Sequence, residues 1–438
     1  MMRFILPLML TLAAALPARA AIEIKEVVSP GGITAWLVED HSIPFTALEI
    51  RFRGGASVEP MDKRGATNLM TALLEEGAGE MDARAFARAR DGLAASFRYS
   101  ASDDALSVSA QFLTENRDAA VDLLRQSLIQ PRFDAEAIER VRAQVLSGLR
   151  SDEKDPQSIA ARRFDGLVFG DHPYASSLDG TIDTVTALTR DDLLAAHAAS
   201  MARDRIYVSA VGDITAADLG VLLDSLLGDL PASGAPLPGP ADPVFPGGVD
   251  VVDFPTPQSV VLFGQPGIGQ DDPDFFAAFI LDHILGGGGF ESRLMTEVRE
   301  KRGLTYGIYT YLADRDYAQF WGGSVASAND RVAEAVEVIR AEWARLQTEG
   351  VSAEELQNAK TYLTGAYPLR FDGNGTIANI IVGMQVRGLP IDYAATRNDK
   401  VNAVTLEDVN RVARDLLDPE ALSFVVVGQP VGLMETSN

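Results

Sequence analysis

Hydrophobic and polar positions alternate along several short segments of this chain, and this pattern predicts β-strands. Four segments are predicted as strands: "ITAWLVE" (33–39), "TALEIRFRGG" (46–55), "VDVVDF" (249–254) and "SVVLFGQP" (259–266). Two longer alternating stretches, 96–113 and 304–326, contain polar interruptions and predict β-hairpins. The predicted strands therefore form an early set and a late set.

Apolar residues spaced three to four positions apart predict amphipathic helices after each set of strands. The clearest predicted helices cover 66–76, 116–129, 274–285 and 330–347. Strands and helices are segregated, without the strict alternation of a doubly wound parallel sheet. This arrangement is typical of the α+β class.

The same order of strands and helices occurs twice along the chain, and short sequence matches show this repeat directly. "VTALTRDDLL" starting at Val185 matches "VNAVTLEDVN" starting at Val401, an offset of 216 positions. That offset also carries Val211-Gly212 onto Val427-Gly428, at the end of an apolar strand in each case. We therefore predict an internal duplication with two homologous α/β-sandwich halves, each a mixed, mostly antiparallel sheet with helices packed on it.

A proline-rich segment marks the predicted join between the halves. "LPASGAPLPGPADPVFPGG" (230–248) contains six prolines, which exclude a regular helix or a central strand. The predicted organisation is an N-terminal half at 21–229, a linker at 230–248 and a C-terminal half at 249–438.

The first twenty residues have the pattern of a secretory signal peptide. Arg3 precedes an apolar run, and Ala18-Arg19-Ala20 has the small-x-small form of a cleavage site. We predict cleavage after Ala20 and export, to a bacterial periplasm or outside the cell. No later segment has the length and apolarity of a membrane span.

Composition narrows the possible chemistry of the 438-residue chain. Cysteine is absent, which excludes thiolate nucleophiles and cysteine metal sites. The net charge is −24, and removing Arg3 and Arg19 would leave 36 basic against 62 acidic residues, about −26. Nucleic acid is not an expected partner, because phosphate binding requires a concentrated positive surface.

The duplicated α+β layout, with a helix after the second strand, resembles the pitrilysin/insulinase zinc peptidases and their mitochondrial processing peptidase relatives. The resemblance covers the whole mature chain. In that family this helix carries H-x-x-E-H, whose histidines share one helix face and bind zinc, while the glutamate activates a water.

The zinc motif is absent at the matching positions of this chain. The family pattern falls on "GATNLMTA" (65–72), so Asn68 and Ala72 stand at the histidine positions and Thr71 at the glutamate position. The third family ligand is a later glutamate, and the corresponding segment "AQVLSGLR" (143–150) has no acidic residue. We expect this degenerate helix to persist because Leu69, Ala72 and Leu73 still build a core.

No other catalytic site is evident in the sequence. The four histidines are His41, His172, His197 and His283, and no two have helical spacing. G-x-S-x-G is absent, and "GQPGIG" at Gly264 lacks the following helix that a phosphate-binding loop requires. The sequence therefore predicts no metal or other cofactor in this chain.

The segment "LGGGGFESRLMTEVREKRGLTYGIYTYL" (285–312) carries the strongest positive resemblance. Four glycines permit close backbone approach, and the expected substrate-binding positions are Gly286, Gly287, Gly288 and Gly289, although a simple flexible turn is the other interpretation. The next helix is predicted to bury Phe290, Leu294 and Val298 and to end at Gly303. A strand is predicted to follow, with one face formed by Leu304, Tyr306, Ile308 and Thr310.

The resemblance implies a role for Arg299 and Tyr306 within "REKRGLTY". In the family, the second half contributes an arginine and, seven residues later, a tyrosine to the active site. The tyrosine is expected to donate to the oxyanion and the arginine to hold the peptide backbone. Arg302 is a competing arginine, and Tyr309 or Tyr311 are alternatives to Tyr306.

A lost zinc motif beside a retained arginine and tyrosine is expected of a non-catalytic subunit. Some family members divide the work between two chains of this size. We therefore expect a homologous partner that carries H-x-x-E-H and zinc, in a heterodimer or a dimer of heterodimers that hydrolyses peptides. Two alternatives stay open: a catalytically inert binding or structural subunit, and a stand-alone enzyme with an unrecognised site.

Overall fold

A computed structural model describes residues 22–436. The predicted leader, residues 1–20, lies outside this range. The strands of the first half are β1 (Lys25–Val28), β2 (Thr34–Glu39), β3 (Phe45–Arg53), β4 (Gly77–Ala78), β5 (Met81–Asp82), β6 (Ser96–Ala101), β7 (Ala105–Leu113) and β8 (Ile206–Gly212). Its helices are α1 (Ala66–Ala72), α2 (Ala83–Gly92), α3 (Arg117–Ile129), α4 (Ala135–Asp152), α5 (Pro156–Phe169), α6 (Ile182–Ala187), α7 (Arg190–Ser200) and α8 (Ala216–Leu227).

The second half repeats this pattern with fewer strands. Its strands are β9 (Gly248–Asp253), β10 (Gln258–Pro266), β11 (Ile308–Asp314), β12 (Gln319–Ala328) and β13 (Ser423–Gly428). Its α-helices are α9 (Phe275–Asp282), α10 (Val332–Glu349), α11 (Ala353–Ala366), α12 (Asn374–Val386), α13 (Tyr393–Ala403) and α14 (Leu406–Leu416). Two π-helical turns, His283–Gly287 and Met295–Glu300, flank a 3-10 turn at Gly289–Glu291.

Sheet topology confirms the duplicated α+β fold. The first sheet has the order β1-β2-β8-β3-β7-β6, and the second has β9-β13-β10-β12-β11 in the same sense. In each sheet the last strand of the half pairs parallel with one neighbour and antiparallel with the other, as β8 does with β2 and β3. The strands β6 and β11 are therefore corresponding edge strands.

The repeated sequence at an offset of 216 has a local physical cause. Thr189 precedes α7 and Thr405 precedes α14, and each begins its helix as a capping box. In both, the threonine side chain accepts from the backbone N–H of an aspartate three residues later, and that aspartate accepts from the threonine backbone. The same start signal was retained in the two halves.

One helix from each half packs on the sheet of the other half. Phe164 and Val168 on α5, from the first half, pack with Phe320 and Val425 on strands of the second sheet. Reciprocally, α12 packs on the first sheet, where Ile381, Ala378 and Met384 join a cluster with Trp36, Ala47 and Val211. These exchanged helices add to the separate core of each half.

Polar contacts also connect the two halves. Arg163 on α5 donates two hydrogen bonds, of 2.5 and 2.7 Å, to the buried Asp250 on β9. The Arg53 guanidinium lies 2.6 Å from a carboxylate oxygen of Asp316. The proline-rich segment has no helix or strand before Gly248, where β9 begins, and its Ala241 N–H donates to the Tyr317 carbonyl at 2.7 Å. The connecting segment is thus fastened to the body of the molecule.

Candidate functional site

The helix that corresponds to the zinc-binding helix is short and firmly anchored. Helix α1 ends at Ala72, whereas the sequence predicted a helix to residue 76. A turn stabilised by local backbone hydrogen bonds then leads to Gly77, which has a positive φ of 114°. At the other end, the buried Glu59 carboxylate accepts from the backbone N–H groups of Gly65 and Thr67. An acidic group at a helix N-terminus stabilises it.

The three degenerate motif residues have different environments. Asn68 is partly buried, Thr71 is buried and Ala72 is exposed. The expectation that Ala72 helps build the core is therefore wrong, while Leu69 and Leu73 are fully buried as predicted. Ala72 lies one turn after Asn68 and shares its helix face, which turns away from the core.

Zinc does not fit the residues at this place. The Asn68 side-chain amide donates to Asp179 Oδ1 at 2.7 Å, and the Thr71 hydroxyl donates to the Thr67 carbonyl at 2.6 Å. The segment 143–150, expected to lack the third ligand, lies on α4. Within residues 22–436, no group of three or more His, Cys, Asp or Glu residues is placed to hold a metal ion.

The four histidines lie in separate places with separate partners. His41 Nδ1 lies 2.6 Å from an oxygen of Asp213, and His172 and His197 each use Nε2 on a backbone carbonyl. The His283 ring stacks on Tyr362, with ring centroids 5.1 Å apart. Burial lowers the pKa of His197. These contacts account for the histidines as structural residues.

Close packing within the chain explains most of the glycine run. A Cβ at Gly286 would lie 2.5 Å from Thr310 Oγ1, and one at Gly287 would lie 2.5 Å from Asp282 Oδ2. A Cβ at Gly288 would lie 2.5 Å from the His283 carbonyl oxygen. Gly289 differs, because it has a φ of +62° and open space around it. The substrate-binding role of these glycines stays a prediction.

Phe290 does not lie on the buried face of a helix, contrary to the sequence prediction. It is in the 3-10 turn and its side chain is 64% exposed, whereas Leu294 and Val298 are buried as predicted. The Arg299 guanidinium lies over the Phe290 ring, 4.7 Å from its centroid. A cation–π contact of this kind holds Arg299 against the end of the glycine run.

Tyr306 lies in a loop before β11, and not on the strand as predicted. Gly303 ends the preceding helical turn as expected, with a φ of +60° and its N–H donating to the Arg299 carbonyl at 2.8 Å. The Thr305 hydroxyl donates to the Ala326 carbonyl at 2.6 Å, which fastens the loop to β12. The Tyr306 side chain is 88% exposed, while Ile308 and Leu304 are buried.

The competing arginine, Arg302, is engaged within its own helical turn. Its guanidinium donates to both the carbonyl and the carboxylate of Glu297, at 2.8 Å each. Hydrogen bonds from Lys301 and Arg302 lower the pKa of the Glu297 carboxyl. Arg299, in contrast, makes no ion pair within residues 22–436. Neither an ion pair nor a hydrogen bond joins Arg299 to Tyr306 in that range.

Two further tyrosines extend along the edge strand β11. Tyr309 and Tyr311 are exposed, with ring centroids 6.2 Å apart. Tyr311 lies over Gly322 of β12, where a Cβ would be 3.0 Å from its phenol ring. Together with Phe290 and Tyr306, they form what we call the aromatic edge.

Sequence reasoning missed two features of this region. No sequence pattern indicated that Arg299 stacks on Phe290, because the apolar spacing predicted a buried phenylalanine. The buried Asp282 had a signal: it is an acidic residue at the end of the apolar helix "FFAAFILD".

Comparison with known families identifies the class of protein that this fold and site define. A family model described as insulinase (peptidase family M16) matches residues 35–182, and one described as peptidase M16 inactive domain matches residues 187–363. The chain belongs to peptidase family M16, and its zinc-motif positions carry Asn68, Thr71 and Ala72. This confirms the resemblance to the insulinase peptidases.

Individual relatives cover most of the chain. The non-peptidase homolog YmxG of Helicobacter pylori is 26% identical over 432 residues, 98% of each chain. An uncharacterized zinc protease of Streptomyces coelicolor is 25% identical over 90% of this chain and 87% of its own length. A probable mitochondrial-processing peptidase subunit beta of Schizosaccharomyces pombe is 24% identical over 72% of each chain.

A solved structure has the same overall arrangement. The peptidase M16 inactive domain from Pseudomonas fluorescens superimposes with a TM-score of 0.87 at 27% identity, and the match covers 95% of this chain and all of that one. In residues 22–436, no helix has the length and apolar character needed to cross a bilayer.

Proposed function

We propose that this chain is the non-catalytic subunit of a heteromeric zinc peptidase. A homologous partner with H-x-x-E-H would hold the zinc, and this chain would add Arg299 and Tyr306 to the partner's site in trans. The zinc-bearing partner supplies an activated water for peptide hydrolysis. The observation that carries the proposal is the contrast between a helix α1 whose motif positions carry no zinc ligand and an exposed Tyr306, together with an Arg299 that has no ion-pair partner in residues 22–436.

Tyr306 is suited to donate a hydrogen bond to a substrate. Its hydroxyl has no partner within residues 22–436, and its side chain is almost fully exposed. The loop that carries it is held by Gly303 and Thr305, so the hydroxyl is presented by ordered backbone. Donation to the developing oxyanion of the scissile carbonyl is worth about 2.7–4 kcal/mol in a preorganised site.

Arg299 is suited to hold a peptide backbone. Its cation–π contact with Phe290 fixes one face of the guanidinium. The N–H groups of the guanidinium have no ion-pair partner in the described chain. A planar fork of this kind donates two parallel hydrogen bonds to carbonyl or carboxylate oxygens. Arg302 is a weaker candidate because Glu297 already occupies its donors.

The edge strand β11 offers a place for an extended peptide. Among the strands of residues 22–436 it pairs with β12 only, so no strand pairs with the backbone groups on its other side. A peptide that adds as a further strand would use these groups and would lie along Tyr309 and Tyr311. The aromatic edge, which begins at Phe290 next to the glycine run, would then lie along the bound peptide.

A catalytically inert binding or structural subunit is the second candidate. It is favoured by the name of the Helicobacter pylori relative, a non-peptidase homolog, and by the loss of every zinc-binding position. Both candidates require a partner surface, and they differ in whether Tyr306 affects peptide cleavage.

Purification of the tagged chain from its native host tests the proposal. The co-purifying protein is identified, and peptide hydrolysis is measured for this chain, the partner, the two together, and the complex with Tyr306→Phe. We expect an H-x-x-E-H partner and activity only in the complex, reduced in the variant. An H-x-x-E-H-free partner, an inactive complex or full activity in Tyr306→Phe would contradict trans-catalysis. Activity of this chain alone would instead support a stand-alone enzyme.

We also propose that the chain is exported to the periplasm or outside the cell after cleavage at Ala20. The basis is the leader pattern of residues 1–20. N-terminal sequencing of the protein from a periplasmic fraction should begin at Ala21; an intact N-terminus in the cytoplasm would refute export.

A further inference from the structure

Asp282 is a buried acidic residue at the point where α9 passes into the glycine run. Its side chain is only slightly exposed, and one carboxylate oxygen, Oδ1, accepts two hydrogen bonds. The Thr310 hydroxyl on β11 donates at 2.7 Å and the Trp321 indole N–H on β12 donates at 2.8 Å. One carboxylate thus connects the helix end to two neighbouring strands.

The second oxygen of Asp282 faces the glycine run. A Cβ at Gly287 would lie only 2.5 Å from Oδ2, so the run passes directly over the carboxylate. Thr310, one of the two donors, lies against Gly286, where a Cβ would be 2.5 Å from its hydroxyl oxygen. The glycine run, Asp282 and the edge strand therefore interlock, and a side chain at Gly286 or Gly287 would separate them.

Burial of a carboxylate is costly, and a core at this place needs only apolar groups. Burial raises the pKa of Asp282 to about 6, although its two hydrogen bonds act in the opposite direction. No charged neighbour contributes to this pKa shift, whose causes are burial and the hydrogen bonds from Thr310 and Trp321. Charged and titratable groups on the elements around α9 have contacts elsewhere, among them Arg411 with Asp274, Lys400 over Phe276, Arg397 over Phe279, and His283 on Tyr362. Thr310 and Trp321 are therefore the polar groups that respond to the ionisation of Asp282.

We propose that Asp282 is a positioning residue of the peptide site. By bonding Thr310 and Trp321 beneath Gly287, it sets the distance between the glycine run and the edge strand β11. The ionised carboxylate makes the stronger hydrogen bonds and holds the two elements closest together. Its role toward a peptide rests on the proposed function, whereas the connection itself is a property of this chain.

The Trp321 indole N–H provides a direct spectroscopic test on the full chain. The protein contains three tryptophans, so ¹⁵N-tryptophan labelling gives few indole signals, and Trp321→Phe assigns one of them. We expect the Trp321 signal to titrate with a midpoint near pH 6 and to stop titrating in Asp282→Asn. Trp343 is the internal control, because its indole donates to the neutral Gln265 side chain at 2.7 Å.

The functional arm uses the peptidase complex and the peptide that it cleaves. Asp282→Asn should raise KM by about tenfold, with kcat changed little, because misplacement of a binding element weakens substrate positioning. In the wild type, KM should rise as the pH falls below about 6, and the variant should lose this dependence. Thr310→Val, which removes one donor and keeps Asp282, should reproduce part of the effect, and Thr310→Ser should restore it.

Glu49→Gln is the matched control for the loss of a buried carboxyl. Glu49 is buried on β3 in the other half, and burial raises its pKa too. It should leave KM and its pH profile unchanged. An Asp282→Asn complex with wild-type KM and an unaltered pH profile would overturn the positioning role. A wild-type complex without activity would instead refute the proposed function, and the Trp321 titration would still test the connection.

Discussion

The side-chain amide of Asn68 donates a 2.7 Å hydrogen bond to the Asp179 carboxylate. The residue at the first histidine position of the zinc motif is therefore occupied by a partner from the same half. The Asp179 carboxylate is thereby engaged by α1 itself.

Restoration of the motif should not restore zinc binding. The triple change Asn68→His, Thr71→Glu and Ala72→His places three motif residues on α1, but the segment 143–150 still has no acidic ligand. We expect well below one zinc per chain by elemental analysis after dialysis. The unchanged chain is the control, and stoichiometric zinc in the triple variant would show that another ligand is within reach.

Removal of the Tyr306 hydroxyl should reduce catalysis in the complex. Tyr306→Phe should lower kcat about 10²–10³-fold, because one oxyanion donor is lost while the exposed ring is kept. Peptide cleavage under saturating substrate measures the effect. Tyr309→Phe is the matched control on the same edge, and a larger loss in that variant would transfer the role to Tyr309.

Substitutions of the two arginines of "REKR" should have different effects, one on substrate binding and one on stability. Arg299→Lys keeps the charge but removes the fork, so KM should rise several-fold while the free energy of unfolding changes little. Arg302→Gln removes a hydrogen-bond partner of the buried Glu297 and should destabilise the chain by about 1 kcal/mol. Steady-state kinetics and urea unfolding separate the two effects. The reverse pattern would identify Arg302 as the substrate-binding arginine.

Glu355 should make folding stability depend on acid pH. Partial burial acts to raise the pKa of Glu355, but hydrogen bonds from Arg293 and Ser352 outweigh it and lower the pKa to about 2. Because folding lowers this carboxyl pKa, the ionised carboxylate stabilises the fold at every pH above the pKa of the same group in the unfolded chain. This stabilisation is lost as the pH falls from that value toward 2. Glu355→Gln should cost about 1 kcal/mol at pH 6 and progressively less toward pH 3, in urea unfolding. A pH-independent difference would exclude the ionised pair as the cause.

The glycine run should tolerate change unevenly. Gly286→Ala would force a methyl group against Thr310 and should cost about 1–3 kcal/mol, a loss relieved by Thr310→Ala in a double-mutant cycle. Gly289→Ala should cost about 1 kcal/mol through its positive φ alone, and Thr310→Ala should not relieve that cost. Equal coupling of both glycines to Thr310 would contradict the described packing.

Local signals made the duplicated fold predictable. The capping boxes at Thr189 and Thr405 are short patterns with their own physical purpose, so they survived in both halves and revealed the offset of 216. Short apolar segments likewise identified β2, β3 and β10, which are buried at consecutive positions because both faces of their sheets are covered.

Competing local chemistry explains the errors in the candidate site. Alternation predicted a strand through Tyr306, but the left-handed Gly303 and the side-chain bonds of Thr305 impose a turn there. Helical spacing predicted a buried Phe290, but Gly289 interrupts the helix before the pattern applies. Ala72 fits an apolar pattern although its small side chain faces outward. The exchange of α5 and α12 gave no sequence signal, because amphipathicity does not specify which sheet a helix covers.

The crossed helices α5 and α12 have a consequence for the origin of such a chain. A polypeptide of half this length would expose an apolar face of its sheet, because the helix that covers this face belongs to the other half. It would be soluble only beside a twin that supplied the cover, in an obligatory two-fold pair. Tandem fusion of the gene would convert that concentration-dependent pairing into a single molecule, after which either copy was free to lose its metal ligands while remaining indispensable to the other.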